Sequence, residues 1–242
     1  MSDLPDWTHA LLACKPELKI GDEELELLFW RFHPRYRFVK TLPRRAALLD
    51  IGAGSGGLSF WSEWGLPDRR DIEFFGVDLG RGPHASRYQD WRVANLDEGL
   101  PDFGRPFHGF LASHLIEHVA DPAGLLAAIR AQGAPCARVY LEWPHPRSTG
   151  FPPAALLADC GFVMQTFNFF DDATHRRTPE RREMEALLEG HGFDVVESGE
   201  INLGPVAEEL MARGIRKDDM TWRQMGIWAA TGWCNYVIGQ LS

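Results

Sequence analysis

Residues 46–57 read Ala46-Ala47-Leu48-Leu49-Asp50-Ile51-Gly52-Ala53-Gly54-Ser55-Gly56-Gly57. An apolar run reaches one acidic residue and then breaks into a glycine-rich turn. The run from Ala46 to Ile51 suits a buried parallel strand, which is apolar on both faces. Gly52, Gly54 and Gly56 let the chain turn sharply and let its backbone approach a ligand closely. Leu58, Phe60 and Trp61 then open a segment able to pack as a helix. Amides at the N-terminus of that helix would point at whatever fills the turn.

Two cofactors fit such a strand, turn and helix. Gly52, Gly54 and Gly57 satisfy the G-x-G-x-x-G pattern of dinucleotide sites. Gly52, Gly54 and Gly56 satisfy the tighter G-x-G-x-G spacing of S-adenosylmethionine (SAM) sites. Asp50 favours SAM, because a carboxylate there would lie near the methionine ammonium, whereas beside a pyrophosphate it would meet like charge. Working outward, Ile72 to Val77 reads as a second strand ending in Asp78. A carboxylate at that tip is placed to accept hydrogen bonds from both ribose hydroxyls. Arg92 to Ala94 reads as a short third strand with Asn95 at its end. The Asn95 amide can read an adenine edge, and Asp97 competes for that role.

Four stretches in order carry a resemblance. They are Leu-Leu-Asp-Ile-Gly-Ala-Gly-Ser-Gly at 48–56, Gly-Val-Asp at 76–78, Ala-Asn-Leu-Asp-Glu-Gly-Leu-Pro at 94–101 and Leu-Ile-Glu-His-Val-Ala-Asp-Pro at 115–122. Together they resemble the ordered motifs of class I SAM-dependent methyltransferases, closest to the small-molecule branch that includes ubiquinone-pathway and natural-product enzymes. The likeness covers about residues 45–200. It implies SAM as cofactor, with Asp50, Gly52, Gly54, Asp78 and Asn95 as cofactor residues. We place Ala53, Gly56, Leu79, Leu96 and Ser113 beside them. The family more often has Asp where Asn95 stands. The implied fold is α/β, a doubly wound, seven-stranded, mostly parallel Rossmann-like sheet. One domain, 1–242, is expected: an N-terminal helical cap at 1–44, a SAM-binding half at 45–146, and a substrate-side insertion with closing elements at 147–242.

A pass along the chain gives helices at 5–15 and 22–32, then strands at 46–51, 72–77, 91–94 and 107–113. A crossover helix follows at 118–131 and a fifth strand at 137–142, which Pro144 and Pro146 stop. Residues 147–178 read as an irregular insertion. A helix at 179–190, a strand at 193–200, helices at 205–213 and 219–231 and a closing strand at 235–241 complete it. Strands alternating with helices imply right-handed crossovers.

Composition narrows the classes. The net charge is −9, from 25 basic against 34 acidic residues. A nucleic-acid binder usually carries a basic face. The position where base-flipping methyltransferases carry an Asn/Asp-Pro-Pro-aromatic signature reads Ala-Ser-His-Leu at 112–115. Both points argue against a nucleic-acid partner. No stretch is long and apolar enough to span a bilayer, and no export signal is read, so the expected location is the cytoplasm. Cys14, Cys136, Cys160 and Cys234 form no C-x-x-C pair and read as buried reduced thiols.

The candidate catalytic residues are His114 and His175. His114 closes the fourth strand, at the sheet edge where such folds bind ligands, and a histidine there can act as a general base. His118 is the weaker candidate. His114-Leu115-Ile116-Glu117-His118 matches H-x-x-E-H, but that zinc motif needs one helix for all five residues. With His114 on a strand and His118 in a helical turn, no metal is expected. His175, in Asp171-Asp172-Ala173-Thr174-His175, either orients the substrate or fixes its loop. Trp30, His33 and Tyr36 are expected to cover the cofactor, and Trp143 and His145 to face the pocket. Trp222, Trp228 and Trp233 read as core or as the contact of a homodimer, with lining of the pocket as the lesser alternative. The expected reaction is direct methyl transfer to an oxygen or nitrogen of a small molecule such as a natural product, sugar or quinone-like compound. The alternatives are a macromolecular acceptor (tRNA or protein), and a NAD-dependent oxidoreductase or non-catalytic nucleotide-binding module.

Overall fold

A computed structural model describes residues 18–159 and 161–242. The helix expected at 5–15, Cys14 and Cys160 lie outside them. The strands are β1 (Ala47–Ile51), β2 (Glu73–Asp78), β3 (Asp90–Val93), β4 (Phe107–Ser113), β5 (Gly133–Pro144), β6 (Phe193–Glu200) and β7 (Cys234–Leu241). They form one seven-stranded sheet in the order β3-β2-β1-β4-β5-β7-β6. Neighbours from β3 to β5 pair parallel, while β7 pairs antiparallel with both β5 and β6. The order reverses between β1 and β4, and open α/β sheets bind ligands outside the strand ends at such a point.

Every residue of β1 is buried, because both sheet faces are covered. Leu48 enters one core with Leu25 of α1 (Asp22–Phe32), Phe38 and Val39 of α2 (Pro34–Lys40), Leu210 of α6 (Gly204–Arg216) and Ala229 of α7 (Met220–Thr231). Leu49 and Ile51 enter the other with Leu125 and Ile129 of α3 (Pro122–Ala131) and Met184 and Leu188 of α5 (Arg181–Gly190). The period-two alternation of β1 thus feeds two layers. Each fully buried Leu or Ile contributes about 1.5–3 kcal/mol.

Three departures from the sequence reading bear on the site. The segment after the glycine turn is a six-residue 3-10 turn, Gly57–Ser62, not an α-helix. Gly65 and Pro67 follow at once and leave no room for more turns. The fourth crossover helix starts at Pro122, not at 118. Asp121 caps it by accepting the Gly124 N–H at 2.9 Å, with Pro122 in the first turn. Residues 116–118 therefore form a turn. The stretch 147–178 is not wholly irregular, since it carries α4 (Ala154–Asp159) and short 3-10 turns. A further correction concerns the thiols: Cys234 is buried, but Cys136 is exposed.

Candidate active site

The glycine turn sits at the C-terminal end of β1. Gly52, Gly54 and Gly56 all take positive φ, at 74°, 54° and 78°. A side chain would be strained at each, and a Cβ on Gly56 would lie 3.1 Å from the His84 carbonyl carbon. Asp78, at the tip of β2, accepts the Gly54 N–H at 2.7 Å, so the two candidate cofactor elements brace each other. Asp50 is buried under the turn and accepts the Tyr88 hydroxyl at 2.7 Å. Burial pushes its carboxyl up to about 7, against the pull of the Tyr88 hydrogen bond and of Arg35. A cation placed beside Asp50 would restore its charge.

Gly52, Asp78, Leu79, Asn95, Leu96, His114 and His175 line one cavity of about 720 Å³ together with Asp97, Leu115, His118 and Thr174. Asp50, Ala53, Gly54, Gly56 and Ser113 do not line it. The Ser113 hydroxyl is buried without a partner. Asn95 Oδ1 accepts the Asp97 N–H at 3.1 Å, which engages it in its own turn. Asp97 in turn accepts the Ala120 N–H at 3.0 Å and pairs with Arg176 at 2.6 Å. Neither side chain stands free.

His114 has an unusual backbone, with φ at 53°, a conformation that non-glycine residues adopt mostly where surroundings enforce it. Its Nε2 lies 2.9 Å from Glu142 and its Nδ1 lies 3.5 Å from Glu117. Burial opposes charge on this ring, but the Cys234 sulfur and the Glu117 and Glu142 carboxylates outweigh it and hold the imidazole well above its ordinary range. Glu142 also accepts the Tyr140 hydroxyl at 2.5 Å and faces Arg35 at 3.4 Å. Burial would raise its carboxyl, but Arg35 and His114 hold it far below the usual carboxylate range. A ring whose nitrogens both face carboxylates has no lone pair to offer, so the geometry argues against the general base expected at His114.

His118 and His175 are built differently. Their rings lie 4.8 Å apart. His175 stacks on Phe169, with its Nδ1 2.5 Å from the Phe169 carbonyl. His118 Nδ1 meets the Thr174 hydroxyl at 2.9 Å, and that hydroxyl donates to Asp172.

The dinucleotide reading loses its footing here. A pyrophosphate wants a helix N-terminus, and this turn leads into a short 3-10 segment beside a buried carboxylate. The expectation that no tyrosine has a lysine at the Tyr-x-x-x-Lys spacing of hydride-transfer enzymes is wrong, since Tyr36 and Lys40 stand at it. However, Lys40 Nζ is held by the Gly65 and Pro67 carbonyls and the Tyr36 hydroxyl by the Trp64 carbonyl.

A methyltransferase-domain family model matches residues 26–198. The chain belongs to the methyltransferase-domain family. It is a SAM-dependent methyltransferase, and its cofactor is SAM. No curated protein matches it. Similar solved structures share the fold. A SAM-dependent methyltransferase from Archaeoglobus fulgidus is 22% identical, with 89% of this chain and 94% of that one covered and a TM-score of 0.52. A putative methyltransferase structure from Haloferax volcanii, a complex with the Trm112 activator, is 16% identical, with 90% and 94% covered and a TM-score of 0.58. The 1,6-didemethyltoxoflavin-N1-methyltransferase of Burkholderia thailandensis is 16% identical, with 97% and 82% covered and a TM-score of 0.51.

Trp30, Tyr36 and Trp61 form an aromatic cluster with Arg35 over the Trp30 ring, and neither they nor His33 line the cavity of this methyltransferase. The N-terminal helices thus pack on the 3-10 turn after the glycines. His33 is buried, and desolvation pulls its imidazole down to about 3, so it stays neutral. Trp143 does not face the cavity; it is buried against Pro179, whose carbonyl accepts its indole N–H at 2.9 Å. His145 turns instead to Glu200 and Arg147. Trp228 and Trp233 stack at 4.3 Å and flank His114. Glu117 and Glu142 escaped the sequence reading as site residues. Glu117 carried a signal, its place in H-x-x-E-H, but Glu142 and Tyr88 carried none.

Proposed function

We propose that this methyltransferase moves the SAM methyl group to an oxygen, or a nitrogen, of a small-molecule acceptor. The carrying observation is the single cavity of about 720 Å³ that joins Gly52 and Asp78 at one end to His118 and His175 at the other. That volume is in the range of small-molecule sites. In this reading Asp50 faces the methionine ammonium, Asp78 the ribose hydroxyls and the Asn95 region the adenine. Ala53, Gly54, Gly56, Leu79, Leu96 and Ser113 shape the turn and walls around them. The acceptor sits at the histidine end, where His175 Nε2 orients a hydroxyl and takes its proton. Attack is in line: the acceptor–carbon bond forms as the carbon–sulfonium bond breaks, and the neutral thioether leaves. The protein then supplies mainly position and water exclusion. His114 serves this reading as a fixed cation of the wall, and His175 as the group that meets the acceptor. An acidic net charge of −9 also favours a small acceptor over nucleic acid.

Calorimetric titration with S-adenosylhomocysteine, with NAD as control and Asp78→Ala alongside, tests the cofactor half. Micromolar binding that weakens about tenfold in the variant supports the residue assignment. An acceptor screen by methyl incorporation tests the rest, and methylation of tRNA or protein with no small-molecule turnover would overturn it.

A further inference from the structure

A second cavity, of about 240 Å³, is lined by His145, Glu180, Arg181, Arg182, Glu200 and Asn235. None of these residues lines the cavity beside the glycine turn. The strand period explains the separation. Successive side chains of β7 point to opposite faces of the sheet. Cys234 faces His114, with its Sγ 3.8 Å from the ring Nε2, so Asn235 turns to the other face. There it stands between the residues paired directly opposite it, Trp143 of β5 and Glu200 of β6.

Asn235 is only 1% exposed, and neither its Oδ1 nor its Nδ2 has a hydrogen-bond partner. Its neighbours on this face are satisfied. The Trp143 indole N–H donates to the Pro179 carbonyl, and Glu200 accepts from Arg147 at 2.6 Å. A buried polar group left unmatched costs about 1–3 kcal/mol. Both ends of the amide are free, so exchanging its oxygen and nitrogen changes nothing. The side chain offers two donors and an acceptor, and a group that matches it carries an acceptor and a donor together.

The rim adds charge of both signs. Among the described residues, the Glu180 and Arg182 side chains have neither a hydrogen bond nor an ion pair. Arg181 lies 3.3 Å from Glu185, and Arg147 balances Glu200. Burial and Arg147 lower the His145 imidazole, so the ring adds no charge. One carboxylate and one guanidinium are left open. A simple anion or a simple cation would answer one of them and face its like in the other. The volume lies below the range of drug-sized ligand sites. We propose that this cavity binds a free α-amino acid as its zwitterion. The ligand carboxylate pairs with Arg182 and accepts from Asn235 Nδ2, while its ammonium donates to Glu180 and to Asn235 Oδ1. The site stands apart from methyl transfer and does not rest on the proposed acceptor.

The test is a ¹⁵N-edited NMR titration of the full-length protein that follows the Asn235 side-chain amide, identified by its loss in Asn235→Leu. The probes are the proteinogenic α-amino acids, one at a time, with acetate and methylammonium as single-charge controls. At least one amino acid should give a saturable shift with a Kd at or below about 1 mM, and both controls should bind at least about tenfold more weakly. Glu180→Ala and Arg182→Ala, both at exposed positions, should each weaken amino-acid binding by at least about tenfold. His175→Gln, in the other cavity, should leave it unchanged. The backbone amides in the same spectra report folding, so the result does not depend on the cofactor residues. No saturable shift with any amino acid would mean that water alone fills the cavity and would overturn the proposal. So would acetate or methylammonium binding as tightly, full binding in either rim variant, or loss of binding in His175→Gln.

Discussion

Two groups of ionisable side chains meet at the C-terminal end of β4, and they are finished differently. Around His114, the Glu142 carboxylate is matched by His114, Tyr140 and Arg35, and Trp228 and Trp233 pack against the ring where it lines the cavity. Around Glu117, the carboxylate has no hydrogen-bond partner and meets only the His114 ring, at 3.5 Å, while His118 and His175 line the cavity. The first arrangement fixes the walls, and a network whose members satisfy one another has little left for a ligand. The second keeps unfilled bonding capacity in a place that a ligand can reach. Burial alone does not separate them, since Glu117 and Glu142 are equally buried. Partner saturation does.

Several substitutions would break this contrast. Glu142→Ala leaves His114 and Arg35 facing an emptied site. Loss of one member of a buried charge pair costs about 3–5 kcal/mol, which urea unfolding would read. Glu117→Gln removes a carboxylate that holds no hydrogen bond and faces only His114, at 3.5 Å, so its cost should be the smaller, about 1–3 kcal/mol. Equal losses in the two variants would erase the distinction drawn above.

The third buried carboxylate sharpens it through pH. The Asp50 carboxyl is raised from 3.8 to about 7. The folded state therefore holds a proton that the unfolded state releases near pH 4. Stability should fall as pH rises from about 4 to 7 and then level off. Asp50→Asn should remove that slope, gaining up to roughly 4 kcal/mol at pH 8, while weakening SAM binding. Thermal midpoints across pH would show both. A smaller effect is expected at Asp78→Ala, which also removes the acceptor of the Gly54 N–H: about tenfold weaker S-adenosylhomocysteine binding, or roughly 1.4 kcal/mol, by calorimetry. Smallest is Arg176→Ala. Its pair with Asp97 is half-exposed, so the loss should stay below about 1 kcal/mol in urea unfolding.

The chain by itself determined the sheet, the glycine turn and the cofactor. Those depend on local patterns: apolar runs that period two turns into strands, glycines at positive φ, and Asp50 and Asp78 at strand tips. The turn at 116–118, the short 3-10 segment after the glycines and the partners of His114 were decided only by tertiary structure. A cap at Asp121 outweighed the helical look of 118–121, and Gly65 and Pro67 cut the first crossover short. His175 reached Glu117 and His118 because the Arg176 amide bonds across from a distant segment, and Glu142 met Arg35 only when β5 and α2 had packed. Such contacts join residues far apart in the chain, where periodicity and spacing carry no information.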